Sequence, residues 1–157
     1  MNQKYPLAVI LEIIWWIFTL FLIVAVLYPI YTKAGDTYPF FKSNMLFIIV
    51  FVTFTRLIFL LKHTFLANLE KVKVAIILFS AIIVFFLVNE LNFFQTYLDE
   101  QGLGSFLGHL SLPEQSSLGT YINRVTLFFG VGSAIAAVVL PFRLVLSIWR
   151  GRNRGTV

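Results

Sequence analysis

Four long apolar runs, at 7–30, 45–61, 74–88 and 125–142, take up most of the 157-residue chain. A helix needs about 20 mostly apolar residues to cross a hydrocarbon core of roughly 30 Å, and each run meets or nears that length. Backbone groups in lipid must be satisfied within the segment, so runs this long predict helices. Period-2 alternation, the mark of a membrane barrel, is absent. The spacing predicts spans at about 7–30, 44–61, 74–94 and 121–149, with an outer segment at about 95–120.

Composition agrees. Hydrophobic residues make up 59% and charged residues 12%, with a mean hydropathy of +0.90, which inverts the balance of a water-soluble domain. The first run is too long for a secretion signal and ends in Tyr28-Pro29-Ile30-Tyr31 rather than at a small-residue cleavage site, so it is expected to stay as the first helix. The expected fold is therefore all-α: one integral membrane four-helix bundle in a single domain.

Charge predicts its orientation, because cytoplasmic flanks collect Lys and Arg. With both termini inside, the cytoplasmic side carries Lys4, Arg56, Lys62, Lys71, Lys73, Arg143, Arg150, Arg152 and Arg154 against Glu12 and Glu70. The outer side carries Lys33, Lys42 and Arg124 against Asp36, Glu90, Asp99, Glu100 and Glu114. Arg150, Arg152 and Arg154 are expected to meet anionic lipid headgroups. They sit too close to a span, and in too short a cluster, to indicate nucleic acid.

The outer segment has the only room for extra structure. Leu98, Leu103, Phe106, Leu107 and Leu110 predict a short amphipathic helix in the interface, interrupted by Gly102, Gly104 and Gly108. Ser111 and Glu114 then read as a capping box, so the last helix is expected to begin well outside the bilayer.

Two polar layers stand out by depth. Glu12, Arg56 and Arg143 fall at comparable cytoplasmic levels on three helices. They are expected to form either an interhelical ion pair or an anionic ligand site, since ionisable groups within a membrane are functional candidates. Trp15 and Trp16 stand nearby as stacking partners or interfacial anchors. On the outer side, Asn89, Glu90 and Asn92 end the third run while Asn123 and Arg124 begin the fourth. Antiparallel helices would bring Glu90 towards Arg124. Asn89, Asn92 and Thr96 share a face, expected to point into the bundle or towards a partner. A third feature is the small-residue stretch Gly130-Val131-Gly132-Ser133-Ala134-Ile135-Ala136-Ala137, where Gly130, Ser133, Ala134 and Ala137 offer a helix-packing face. Pro141 is expected to kink the same helix before Arg143.

None of this supplies a reaction centre. Cysteine is absent, His63 and His109 fall on opposite sides of the expected bilayer, and phosphate loops or hydrolase elbows do not occur. No catalytic, cofactor-binding or metal-ligating residue is assigned.

The closing residues, Pro141-Phe142-Arg143 through Ser147-Ile148-Trp149-Arg150-Gly151-Arg152-Asn153-Arg154-Gly155-Thr156-Val157, together with Gln115-Ser116-Ser117-Leu118 and Val131-Gly132-Ser133, resemble a group of small uncharacterised inner-membrane proteins of Bacteroidota. The resemblance covers mainly the last third of the chain. It implies a bacterial inner-membrane location and four spans, with no activity to transfer.

The expected function is that of a non-catalytic structural or accessory subunit of a larger bacterial inner-membrane complex, partnered by lipids and by other subunits or a second copy. The main rival is a small transporter or lipid-handling protein using Arg56 and the Asn89/Glu90/Arg124 cluster. A lipid-modifying enzyme acting through Glu90 or Glu12 is a third reading.

Overall fold

A computed structural model describes residues 4–153, the side chains of residues 4–8, 65 and 68 excepted. The described chain is helical almost throughout. Helix α1 covers Lys4–Ala34, α2 Phe41–Leu60, α3 Glu70–Gln101, α4 Gly104–Leu107 and α5 Leu112–Arg152. Four of these, all but α4, are long and apolar enough to cross a membrane. Short 3-10 turns at Gly35–Thr37, Leu61–His63 and Phe65–Asn68 complete the connections.

Helix ends follow local chemistry. Gly35 and Gly102 adopt φ of +55° and +68° just past α1 and α3, a left-handed conformation that side chains with a Cβ resist. α1 runs through Pro29, and the Thr32 hydroxyl donates to the carbonyls of Tyr28 and Pro29 at 3.0 and 3.2 Å. At the start of α5, Ser111 has the extended backbone of an N-cap, and Pro113 falls in the first turn. The Ser111 hydroxyl donates to the Glu114 carboxylate at 2.8 Å rather than accepting from a helix N–H. Pro141 lies inside α5, which continues to Arg152.

Helices α3 and α5 are longer than the spans read from hydropathy. At a 1.5 Å rise, the 32 residues of α3 and 41 of α5 reach about 48 and about 62 Å. The 95–120 segment is accordingly shared between the end of α3, the start of α5 and the single turn α4. Polar residues at those ends, such as Gln95, Asp99 and Glu100, break the hydropathy signal without breaking the helix. On α4, Phe106 and Leu107 are fully buried, so the apolar side of this turn faces the protein's own core. Phe106 packs on Tyr38 with ring centroids 5.4 Å apart, and Phe40 meets Phe94 and Tyr97 edge-on at 5.1 Å each. This aromatic cap closes the acid-rich end.

Helix α5 is the centre of the arrangement. Both α2 and α3 pack chiefly along it, and α1 leans mainly on α2. The small-residue stretch explains why two neighbours reach the same helix. A Cβ on Gly130 would lie 2.8 Å from Leu91 Cδ1 of α3 and 3.4 Å from Phe47 of α2, and one on Gly132 would lie 2.8 Å from Phe51. Gly130, Ser133, Ala136 and Ala137 are buried and Ala134 half-buried, so this face is spent inside the bundle. Without a hydrophobic drive between helices in lipid, close backbone approach supplies the packing. A second apolar cluster, Leu57, Leu61, Leu66, Leu140 and Leu144, closes the basic end.

Candidate functional site

At the basic end, Arg56 Nη2 of α2 donates to Glu12 Oε2 of α1 at 2.7 Å, with side chains only 10% and 21% exposed. An ion pair this well covered is costly to desolvate and costly to break. Arg56 Nε is buried without a hydrogen-bond partner among the described residues. Trp15, His63 and Thr64 line a groove of about 280 Å³ beside the pair. A second, largely apolar groove of about 340 Å³, lined by Phe18, Leu22, Phe51, Phe59 and Phe128, also adjoins Arg56. Trp16 is exposed.

Arg143 does not join that pair. Its Nε donates to the Ile58 carbonyl at 3.0 Å, just before the C-terminus of α2, where carbonyls have no helical partner. There it lines a separate cleft of about 590 Å³ with Lys62, Glu70, Lys73, Ser147 and Arg150. Lys73, by its place in the sequence one more flanking charge, belongs to this cleft. It is only 2% exposed, and its ammonium donates to the Ala67 carbonyl at 2.6 Å and to Ser147 Oγ at 3.1 Å. A signal was present in its spacing: residues two apart on a helix point in nearly opposite directions. With Lys71 exposed, Lys73 turns inward.

At this end Arg152 lies 3.7 Å from Glu70 with both side chains well exposed. Arg150 is exposed, and Arg154 lies outside the described residues.

At the acid-rich end the expected cluster is dispersed. Glu90 accepts a 2.6 Å hydrogen bond from Ser43 Oγ of α2. Arg124 is exposed and enters no ion pair among the described residues. Register explains the separation. Leu91 sits against Gly130, which places Glu90 about seven residues along α5 from Arg124, or roughly 10 Å at the helical rise. Asn89, Asn92 and Thr96 share the outward, exposed face of α3.

A polar trio lies beneath the aromatic cap. Tyr38, Asn44 and Thr126 are 2%, 1% and 0% exposed, and Asn44 Nδ2 donates to the Tyr38 hydroxyl at 2.6 Å. Burial pushes the Tyr38 phenol up to about 12, against a smaller opposing effect of the neighbouring Thr126 and Asn44 side chains. The Thr126 hydroxyl, although it faces Tyr38, lacks a well-formed hydrogen bond among the described residues. These groups fix the Tyr38 loop against α2 and α5. His109 Nε2 donates to the Lys33 carbonyl at 2.8 Å, and Lys33 Nζ lies 3.5 Å from Glu114. Together these contacts tie the end of α1 to the start of α5.

No family model, curated protein or solved structure matches this chain.

Proposed function

We propose that the protein is a non-catalytic structural or accessory subunit of a larger complex in the bacterial inner membrane, with the basic end and both termini cytoplasmic. The observation that carries this reading is the outward face of α3. Leu78, Ile82, Phe85, Asn89, Asn92 and Thr96 recur at alternating steps of four and three, and all six are exposed. This is the seam one helix offers another.

Its polar members lie deep. Leu91 is level with Gly130, six residues below Arg124, so the two asparagines stand about 9 Å inside the level of that arginine. An amide facing acyl chains forgoes its hydrogen bonds. A partner helix bringing an amide or hydroxyl restores them, the usual role of such residues between membrane helices. Orientation rests on the sorting of basic residues to one end.

Purification of the full chain from native membranes in mild detergent, followed by mass spectrometry, tests the proposal. The expected result is a stoichiometric companion, either a different chain or a second copy, which the double variant Asn89→Leu/Asn92→Leu loses while still folding. Recovery of the wild-type chain as a lone monomer would sink it.

Lipid handling has one supporting observation, the pair of grooves flanking Arg56. The outer polar residues do not gather into a site that would extend it to transport.

A further inference from the structure

We propose that the cleft between the 61–69 connection and the last turns of α5 binds a phosphate-bearing anion, with the headgroup of an anionic phospholipid as its source. Four cations, Lys62, Lys73, Arg143 and Arg150, line one concavity with one carboxylate, Glu70. That carboxylate attracts Lys73 but also faces Arg152, so one negative charge is set against five cations.

The two inner cations are held in place with donors to spare. Lys73 uses two of its three N–H groups on the Ala67 carbonyl and Ser147 Oγ. The third has no partner among the described residues. Arg143 spends its Nε on the Ile58 carbonyl and, among the described residues, keeps both terminal nitrogens, a planar fork suited to two phosphate oxygens. A buried ammonium hydrogen-bonded by a carbonyl and a hydroxyl, and attracted by a carboxylate it shares with Arg152, is under-compensated, and a bound anion completes the compensation. Lys62 and Arg150 are exposed and close the rim as long-range attractors.

Position selects the source. Arg143 is 19 residues from Arg124 along α5, about 28 Å and close to the hydrocarbon thickness, so the cleft opens where phospholipid phosphates lie. Exposed Leu146, next to Ser147 on the same helix, gives the acyl chains an apolar flank. The site is independent of the α3 face and of any partner there.

The full chain is reconstituted in phosphatidylcholine nanodiscs with or without phosphatidylglycerol, and thermal stability is followed by intrinsic fluorescence. Native mass spectrometry of the detergent-released protein counts retained lipid. The wild type is expected to retain one phosphatidylglycerol and to melt higher in its presence. The rim variant Lys62→Gln/Arg150→Gln should lose much of that retention, and Lys73→Met should abolish it. Inorganic phosphate added to phosphatidylcholine discs distinguishes the sources. A rise in melting temperature that needs Lys73 supports the phosphate site with a soluble ligand, whereas a rise with phosphatidylglycerol alone supports the headgroup. Equal retention of the two lipids, or undiminished retention in the rim variant, which leaves the buried Lys73 contacts intact, overturns the proposal.

Discussion

Arg56 on α2 and Glu12 on α1 lie 2.7 Å apart in a nearly covered ion pair, and this pair braces a helix that has few other ties at its level. α1 exposes Ile13, Ile14, Ile17, Leu20 and Phe21 outward and rests mainly on α2. Farther along, α1 is held by Tyr121, whose hydroxyl donates to the Val26 carbonyl at 2.9 Å. The ion pair therefore sets where the N-terminal half of α1 sits.

Removing one partner strands the other charge in an apolar setting. Arg56→Ala or Glu12→Ala is expected to lower unfolding free energy by about 3 kcal/mol. The double variant should cost clearly less than the sum of the two, and a thermal or denaturant double-mutant cycle in detergent measures the coupling. Strict additivity would mean that the pair does not brace α1.

Gly130 accepts Leu91 from one side and Phe47 from the other. Gly130→Leu should destabilise the fold by about 1–3 kcal/mol through overpacking, while Val131→Leu, on the exposed side, should leave the melting temperature nearly unchanged. Similar melting of the two variants would contradict α5 as the packing centre.

Tyr38 gives the fold an alkaline limit. Its phenol is raised from 10.0 to about 12 by burial, so the folded chain keeps a proton that the unfolded chain gives up as pH passes 10. Stability from this source is present below pH 10 and is lost as pH climbs to 12, amounting to about 2–3 kcal/mol at the upper limit. Tyr38→Phe should flatten that alkaline loss, and it leaves the Asn44 amide without its acceptor at a cost of about 1–3 kcal/mol at neutral pH. Stability curves across this pH range for both proteins check the sign.

The residues show why some features could be read directly and others could not. Arg56 and Glu12 were legible as a layer because charges are rare in apolar runs and their depth follows from counting residues. Arg143 shares that depth but belongs to a different cleft, since level along the membrane says nothing about which neighbour a side chain meets. Glu90 and Arg124 looked adjacent in sequence terms. The register that seats Leu91 on Gly130 separates them and hands Glu90 to Ser43.

Length and apolar content alone determined four membrane-length helices, because a chain in lipid must satisfy its backbone within each segment. Charge alone sorted the basic residues to one end. The tertiary structure decided which faces meet, since side chains towards lipid and towards protein are equally apolar and leave little periodic trace. It made α5 the centre through the absence of side-chain bulk at Gly130 and Gly132. It also turned Lys73 inward into a cleft with Arg143 and left Asn89 and Asn92 facing out, relations that depend on helix rotation rather than on composition.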